Sequence, residues 1–167
     1  GRPDRHRGRG LRLLHAVRGY GCESRVSGVN GWDEGQPYRV FVDESEVNGY
    51  SITAVYVRPQ DVHKIKTVLR KHLRSGQRFI HYTKERSEVR KAVISDITRM
   101  SIKAELYKVA EKHRQARSIC LQALAENLRD GMCQQLVLDQ NDSVCQSDRR
   151  VLRSTLGPGW SGTYDHL

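Results

Sequence analysis

The chain has 167 residues, with 29 Lys and Arg against 19 Asp and Glu, a formal net charge of +10. That length sets an expectation of one domain with one hydrophobic core, and 37% hydrophobic with 29% charged residues excludes a disordered composition. No apolar run approaches the roughly 20 residues that span a bilayer. The patch from Leu11 to Val17, broken by Arg12 and His15, is too short for a signal peptide, so no membrane partner is expected.

Residues 1–37 hold seven Arg, eight Gly and no Lys, with little periodicity. They read as an extension, disordered or outside the true domain, which is expected to span 38–167. From Tyr38 the pattern changes. Tyr38-Arg39-Val40-Phe41-Val42 is rich in β-branched and aromatic residues, predicts a central strand, and runs into Asp43-Glu44-Ser45. Asn48-Gly49 is the strongest short hairpin signal available, and Tyr50 to Val57 follows as an antiparallel partner.

Pro59 opens a helix with Val62, Ile65, Leu69 and Leu73 on one stripe and Gly76 placed to end it. Phe79-Ile80-His81-Tyr82 reads as a short strand, and a second helix is expected from Glu85 to Arg99. Ile102, Ala104 and Leu106 alternate with Lys103, Glu105 and Tyr107, the pattern of a half-exposed strand. A third helix is expected from about His113 to Arg129, with Gly131 as its stop. Leu136-Val137-Leu138 then reads as a buried strand delivering Asp139, and 147–155 as a last short helix. Nothing after Gly157-Pro158-Gly159 suggests another helix or strand, so the domain is expected to lack its C-terminal part. The order of elements predicts an α/β fold: a mixed sheet that starts with an antiparallel hairpin and carries packed helices.

Charge is unevenly spread. Residues 58–117 carry 17 Lys and Arg against 6 Asp and Glu, whereas 38–57 and 118–167 are each slightly acidic. Basic helices beside acid-ended strands suit a protein that handles a polyanion, since Lys and Arg hold phosphates and carboxylates hold metal. Lys64, Arg70, Lys71, Lys84 and Arg90 are the candidate nucleic-acid contacts; a solvated helix face accounts for them equally well. Asp43 and Asp139 each end an apolar strand. Acids are poor strand formers, so two such strands, if neighbours, bring a carboxylate pair to one rim of the sheet. Such a pair suits Mg²⁺ or Mn²⁺, hard cations bound through carboxylate, water and substrate phosphate; simple strand-end marking accounts for each acid taken alone.

Val40-Phe41-Val42-Asp43-Glu44-Ser45, followed by a hairpin into an apolar strand, resembles the start of an uncharacterised bacterial domain family. That family is identified by an Asp-Glu-Ser motif on its first strand and is thought to be ribonuclease H-like. The similarity covers about residues 38–167. It implies a metal-dependent nuclease in which Asp43 and Asp139 bind the metal and Glu44 adds a ligand or a supporting contact. A catalytically silent nucleic-acid-binding or interaction domain on the same fold is the alternative. The resemblance also implies a further carboxylate from a later helix, a role for which Asp142, Asp148 and Asp165 are the only C-terminal acids after Asp139 and none sits on a matching element.

The remaining polar residues weigh less. His81 is a phosphate contact or proton relay at best, and a hydrogen-bonded structural histidine otherwise. Ser45 has no legible His–Asp partner, and Gly157-Pro158-Gly159 lacks the Lys-Ser/Thr of a phosphate loop. Cys22, Cys120, Cys133 and Cys145 form no CxxC pair, which fits idle thiols in a reducing, cytoplasmic setting, with Cys120 on an apolar stripe.

Overall fold

A computed structural model of the chain describes residues 12–13, 21–27, 32–33, 35–110, 114–139 and 144–166. The β-rich segment forms two long strands, β3 (Tyr38–Ser45) and β4 (Tyr50–Val57), preceded by β1 (Arg12–Leu13) and β2 (Cys22–Ser27). Asn48 and Gly49 make the β3–β4 turn with φ of 57° and 108°, the left-handed pair that a tight hairpin demands. A Cβ at Gly49 would lie 2.6 Å from the carbonyl oxygens of both Val109 and Ala110, so glycine is required there.

Helices α1 (Val62–Arg70) and α2 (Ser87–Ile97) follow, then β5 (Ile102–Val109), α3 (Ala116–Arg129), β6 (Cys133–Leu138), α4 (Cys145–Leu156) and β7 (Thr163–His166). Among the described residues the strands make one sheet in the order β1-β2-β5-β4-β3-β6-β7. Pairing is antiparallel from β1 through β3 and parallel for β3–β6 and β6–β7. The architecture is α/β with a mixed sheet. No helix among the described residues is long and apolar enough to cross a membrane.

One face of the sheet packs on α3 and α4. Val40, Ile52, Ala54, Tyr56, Tyr107, Leu136 and Leu138 meet Leu121, Leu124, Leu128, Leu152 and Leu156 in a continuous core. Burial of these side chains is the main favourable contribution to folding, at roughly 1.5–3 kcal/mol for each large one. By contrast α1 buries no residue fully and α2 buries only Val93. Residues 58–101 thus form an arm inserted between β4 and β5, with few anchors in the core.

Four expectations are corrected. The period-two alternation in β5 is present, but it is Glu105, Tyr107 and Val109 that are buried, while Ile102, Ala104 and Leu106 are half-covered. Glu105 tolerates burial because Tyr56 and Tyr107 donate their hydroxyls to it, the latter at 2.5 Å, and Lys103 Nζ sits 2.9 Å away. Phe79-Ile80-His81-Tyr82 is a turn leading into a short 3₁₀ segment (Tyr82–Lys84), with its backbone groups bonded locally. β7 follows α4, where no element was expected, and adds a parallel edge beyond β6.

The fourth correction concerns residues 1–37. The boundary at 38 does not hold for the described parts of this stretch, because β2 pairs along β5 with Cys22 and Ser24 buried. Trp32 packs on Tyr38 and Tyr56, and Arg58 lies 4.2 Å above its ring. Arg58 also donates to the carbonyls of Asp33, Gln36 (2.7 Å) and Pro37 (3.2 Å). An Arg/Gly-rich composition hid a few apolar residues that the core needs.

Candidate active site

β3 and β6 are neighbours, parallel and in register, with Val42 opposite Leu138. One residue further along each strand stand Asp43 and Asp139, both exposed. The sheet therefore brings two carboxylate-bearing residues side by side at one rim. Asp43 Oδ1 accepts a hydrogen bond from the amide of Glu44 at 2.9 Å, which steadies the strand end. Among the described residues, no group of three or more His, Cys, Asp or Glu side chains is clustered as a metal cage. Asp142 lies outside the described residues.

Glu44 does not join this pair. Alternation along β3 turns it to the opposite face of the sheet, the one that packs on α3. There its carboxylate accepts from Tyr50 Oη at 2.6 Å and from Arg117 Nη1. Arg117, in the first turn of α3, also holds Asp148 of α4 through Nε (3.0 Å) and Nη2 (2.8 Å). Asp148 is only 3% exposed, and His166 Nε2 stands 3.6 Å from it.

The electrostatics of this knot are self-consistent. Burial by itself depresses the Arg117 guanidinium, but Asp148, Tyr50 and Glu44 more than offset it and hold its pKa above the ordinary value. The Tyr50 phenol is pushed up by burial and by its bond to Glu44. Sequence reading missed Arg117 and set Asp148 aside as lying on no matching element, whereas it is buried in the first turn of the C-terminal helix α4. The available signal was spacing: Asp148 sits four residues before Leu152 and eight before Leu156, on the stripe that α4 buries. An acid on an apolar stripe calls for a buried cation. Asp165, on the edge strand β7, accepts instead from Gln135 Nε2 at 2.7 Å.

The proposed nucleic-acid contacts all lie on the arm. Lys64 is exposed on α1, with Arg70 and Lys71 exposed at and just past its end, and Lys84 is exposed in the 3₁₀ turn. Arg90 is half-buried on α2. The arm leaves β4 at Val57, which pairs with Arg39 at the start of β3, four residues before Asp43. At about 3.3 Å per residue the root of the arm is roughly 13 Å down the strand from Asp43, at the far end of the sheet. The structure thus joins Asp43 with Asp139, sets Glu44 on the other face, and carries the candidate cations on a separate insertion rooted four residues from Asp43 along the strand.

Other residues fall into place. His81 is exposed, with its ring set edgewise against Phe79 at 4.5 Å between centroids. Ser45 is exposed and its Oγ accepts from the Val47 amide at 3.4 Å, a turn contact. Cys120 is fully buried, and burial pushes the Cys133 thiol up to about 12. Searches of known family models and of curated proteins return no match to this chain.

Proposed function

We propose that this chain is a ribonuclease H-like, divalent-metal-dependent protein that cleaves phosphodiester bonds in nucleic acid. The observation that carries the reading is the register of β3 with β6, which sets exposed Asp43, within β3, beside exposed Asp139, just past the end of β6. A mixed sheet that starts from an antiparallel hairpin and carries packed helices, as such a fold requires, supports it. So does the cationic arm.

Two exposed carboxylates at neighbouring strand ends fit one Mg²⁺ or Mn²⁺, which takes the rest of its shell from water and phosphate. Bound there, the metal supplies an activated water and charge stabilisation at the leaving oxygen. Asp43 and Asp139 hold the cation, while Glu44, Tyr50 and Arg117 lock the end of β3 against α3 so that Asp43 keeps its place. Glu44 is therefore a positioning residue.

A silent nucleic-acid binder on the same fold is the second reading, favoured by Arg117, which takes up Glu44 and Asp148. Mn²⁺ titration by calorimetry distinguishes the two. Asp43→Asn and Asp139→Asn should each weaken Mn²⁺ binding about tenfold or more and abolish Mg²⁺- or Mn²⁺-dependent cleavage of a labelled oligonucleotide. Unchanged Mn²⁺ affinity in both variants rules out the shared site.

A further inference from the structure

The arm exposes rings as well as charge. Phe79 is 60% and Tyr82 45% exposed, together with Ile94 at 45%. Isolated exposed apolar residues are ordinary, but these aromatics sit within one turn of chain between α1 and α2. Around them, residues 74–91 carry six Lys and Arg against two acids. One of those acids, Glu85, is buried and already engaged by Arg74 Nη2 at 2.8 Å and Gln77 Nε2 at 2.7 Å. Arg78, Lys84, Arg86 and Lys91 are exposed.

Rigidity is the second component. Glu85 also donates its own amide back to the carbonyls of His81 (3.1 Å) and Tyr82 (3.3 Å). The turn that presents the rings is thereby stapled to the loop that follows α1. His81 packs against Phe79 at an interplanar angle of 68°, and the 60% exposure of Phe79 leaves ring surface open. Tyr82, with Arg90, Lys91 and Ile94 of α2, lines a shallow hollow of about 480 Å³.

A fixed aromatic ring in a cationic surround is what an unpaired nucleobase and its phosphate require. Base faces stack on Phe, Tyr or His, and the backbone is held by Lys and Arg. A duplex hides its base faces and would use only the cations. We infer that the Phe79–Tyr82 turn is a base-stacking platform that selects single-stranded over double-stranded nucleic acid. This rests on the nucleic-acid reading above and narrows its substrate class.

The test uses the full chain and fluorescence anisotropy with a labelled oligothymidylate of about 20 nucleotides and a duplex of the same length. The single strand should bind more tightly. Phe79→Ala and Tyr82→Ala should each weaken single-strand binding about tenfold, leave duplex binding and the salt slope unchanged, and be rescued by Phe79→Tyr and Tyr82→Phe. Lys84→Gln with Arg90→Gln should lower both affinities and flatten the salt slope.

Alanine variants that bind the single strand like the parent, while the charge variants lose binding, overturn the platform and leave the nucleic-acid reading standing. No salt-sensitive binding to either probe overturns both. Ring-dependent capture on phosphatidylserine vesicles without single-strand preference assigns the turn to a membrane surface and also overturns it. Both rings are exposed, so unchanged circular dichroism and melting should accompany every variant.

Discussion

Arg117 is the residue on which two helices and the end of β3 depend. It is 18% exposed at the side chain and joins Asp148, 3% exposed, to Glu44. Removing the cation leaves a buried carboxylate whose remaining charged neighbour among the described residues is His166, and breaking such a pair costs about 3 kcal/mol or more. Arg117→Met should lower urea-denaturation stability by that amount, and Asp148→Leu added to it should recover most of the loss. A single variant as stable as the parent would show that Asp148 finds water or another donor. At Glu85 the hydrogen bond from Gln77, opposed by burial and reinforced by Arg74, holds the carboxyl below the ordinary range. A depressed folded-state pKa gives stability that is present above the unfolded value and is lost as pH falls through the folded one. The arm should therefore loosen on acidification below the ordinary carboxylate range, seen as faster amide exchange at 77–85. Glu85→Gln should remove that pH dependence; an identical acid profile in the variant would exclude Glu85 as its source.

At the scale of elements, the N-terminal strand behaves as part of the sheet. β2 covers the edge of β5, and Cys22 is packed in the same core as Cys120. An uncovered β5 would expose a row of unpaired backbone groups as well as apolar side chains. Deleting residues 1–37 should lower the thermal midpoint by about 5 °C or more, since it removes β2 together with Trp32 from beneath Arg58. An unchanged midpoint would return that stretch to the status of an appendage. The arm is the opposite case. With Val93 alone buried in its two helices, it should open before the sheet does, because local stability follows buried contacts.

Across the whole molecule, the proposed nucleic-acid contacts and the proposed metal ligands belong to different parts of the fold. Cations and rings lie on the arm inserted between β4 and β5, whereas Asp43 and Asp139 stand on the neighbouring strands β3 and β6. Binding and chemistry should then be separable by mutation. Without divalent cation, Asp43→Asn should bind a single strand within about twofold of the parent. Reversing Lys64, Arg70 and Lys71 to Glu should lower affinity at least tenfold and flatten its salt dependence. Loss of metal-free binding in Asp43→Asn would place the two functions in one site.

What the sequence by itself determined is local. Period-two and period-3.6 patterns located β3, β4, β6 and most of the helices, because neighbouring residues decide which face is apolar. Asn48-Gly49 specified its turn, since few residues other than glycine reach its backbone angles. Asp43 and Asp139 were legible as acids directly after apolar strand residues for the same reason, although β3 runs on to Ser45 past Asp43. Only the tertiary structure decided that they stand side by side, because the pairing of Val42 with Leu138 joins residues far apart in the chain. It also decided that Glu44, next to Asp43 in sequence, faces Arg117, 73 residues away. The buried set of β5 inverted in the same manner. Alternation reports that two faces differ, but which one is buried depends on the partners waiting there, and for Glu105 those are two phenols and a lysine. β2 and β7 were invisible because strands toward the margins of a sheet need little apolar content of their own: their backbone bonds are supplied by neighbours distant in the sequence.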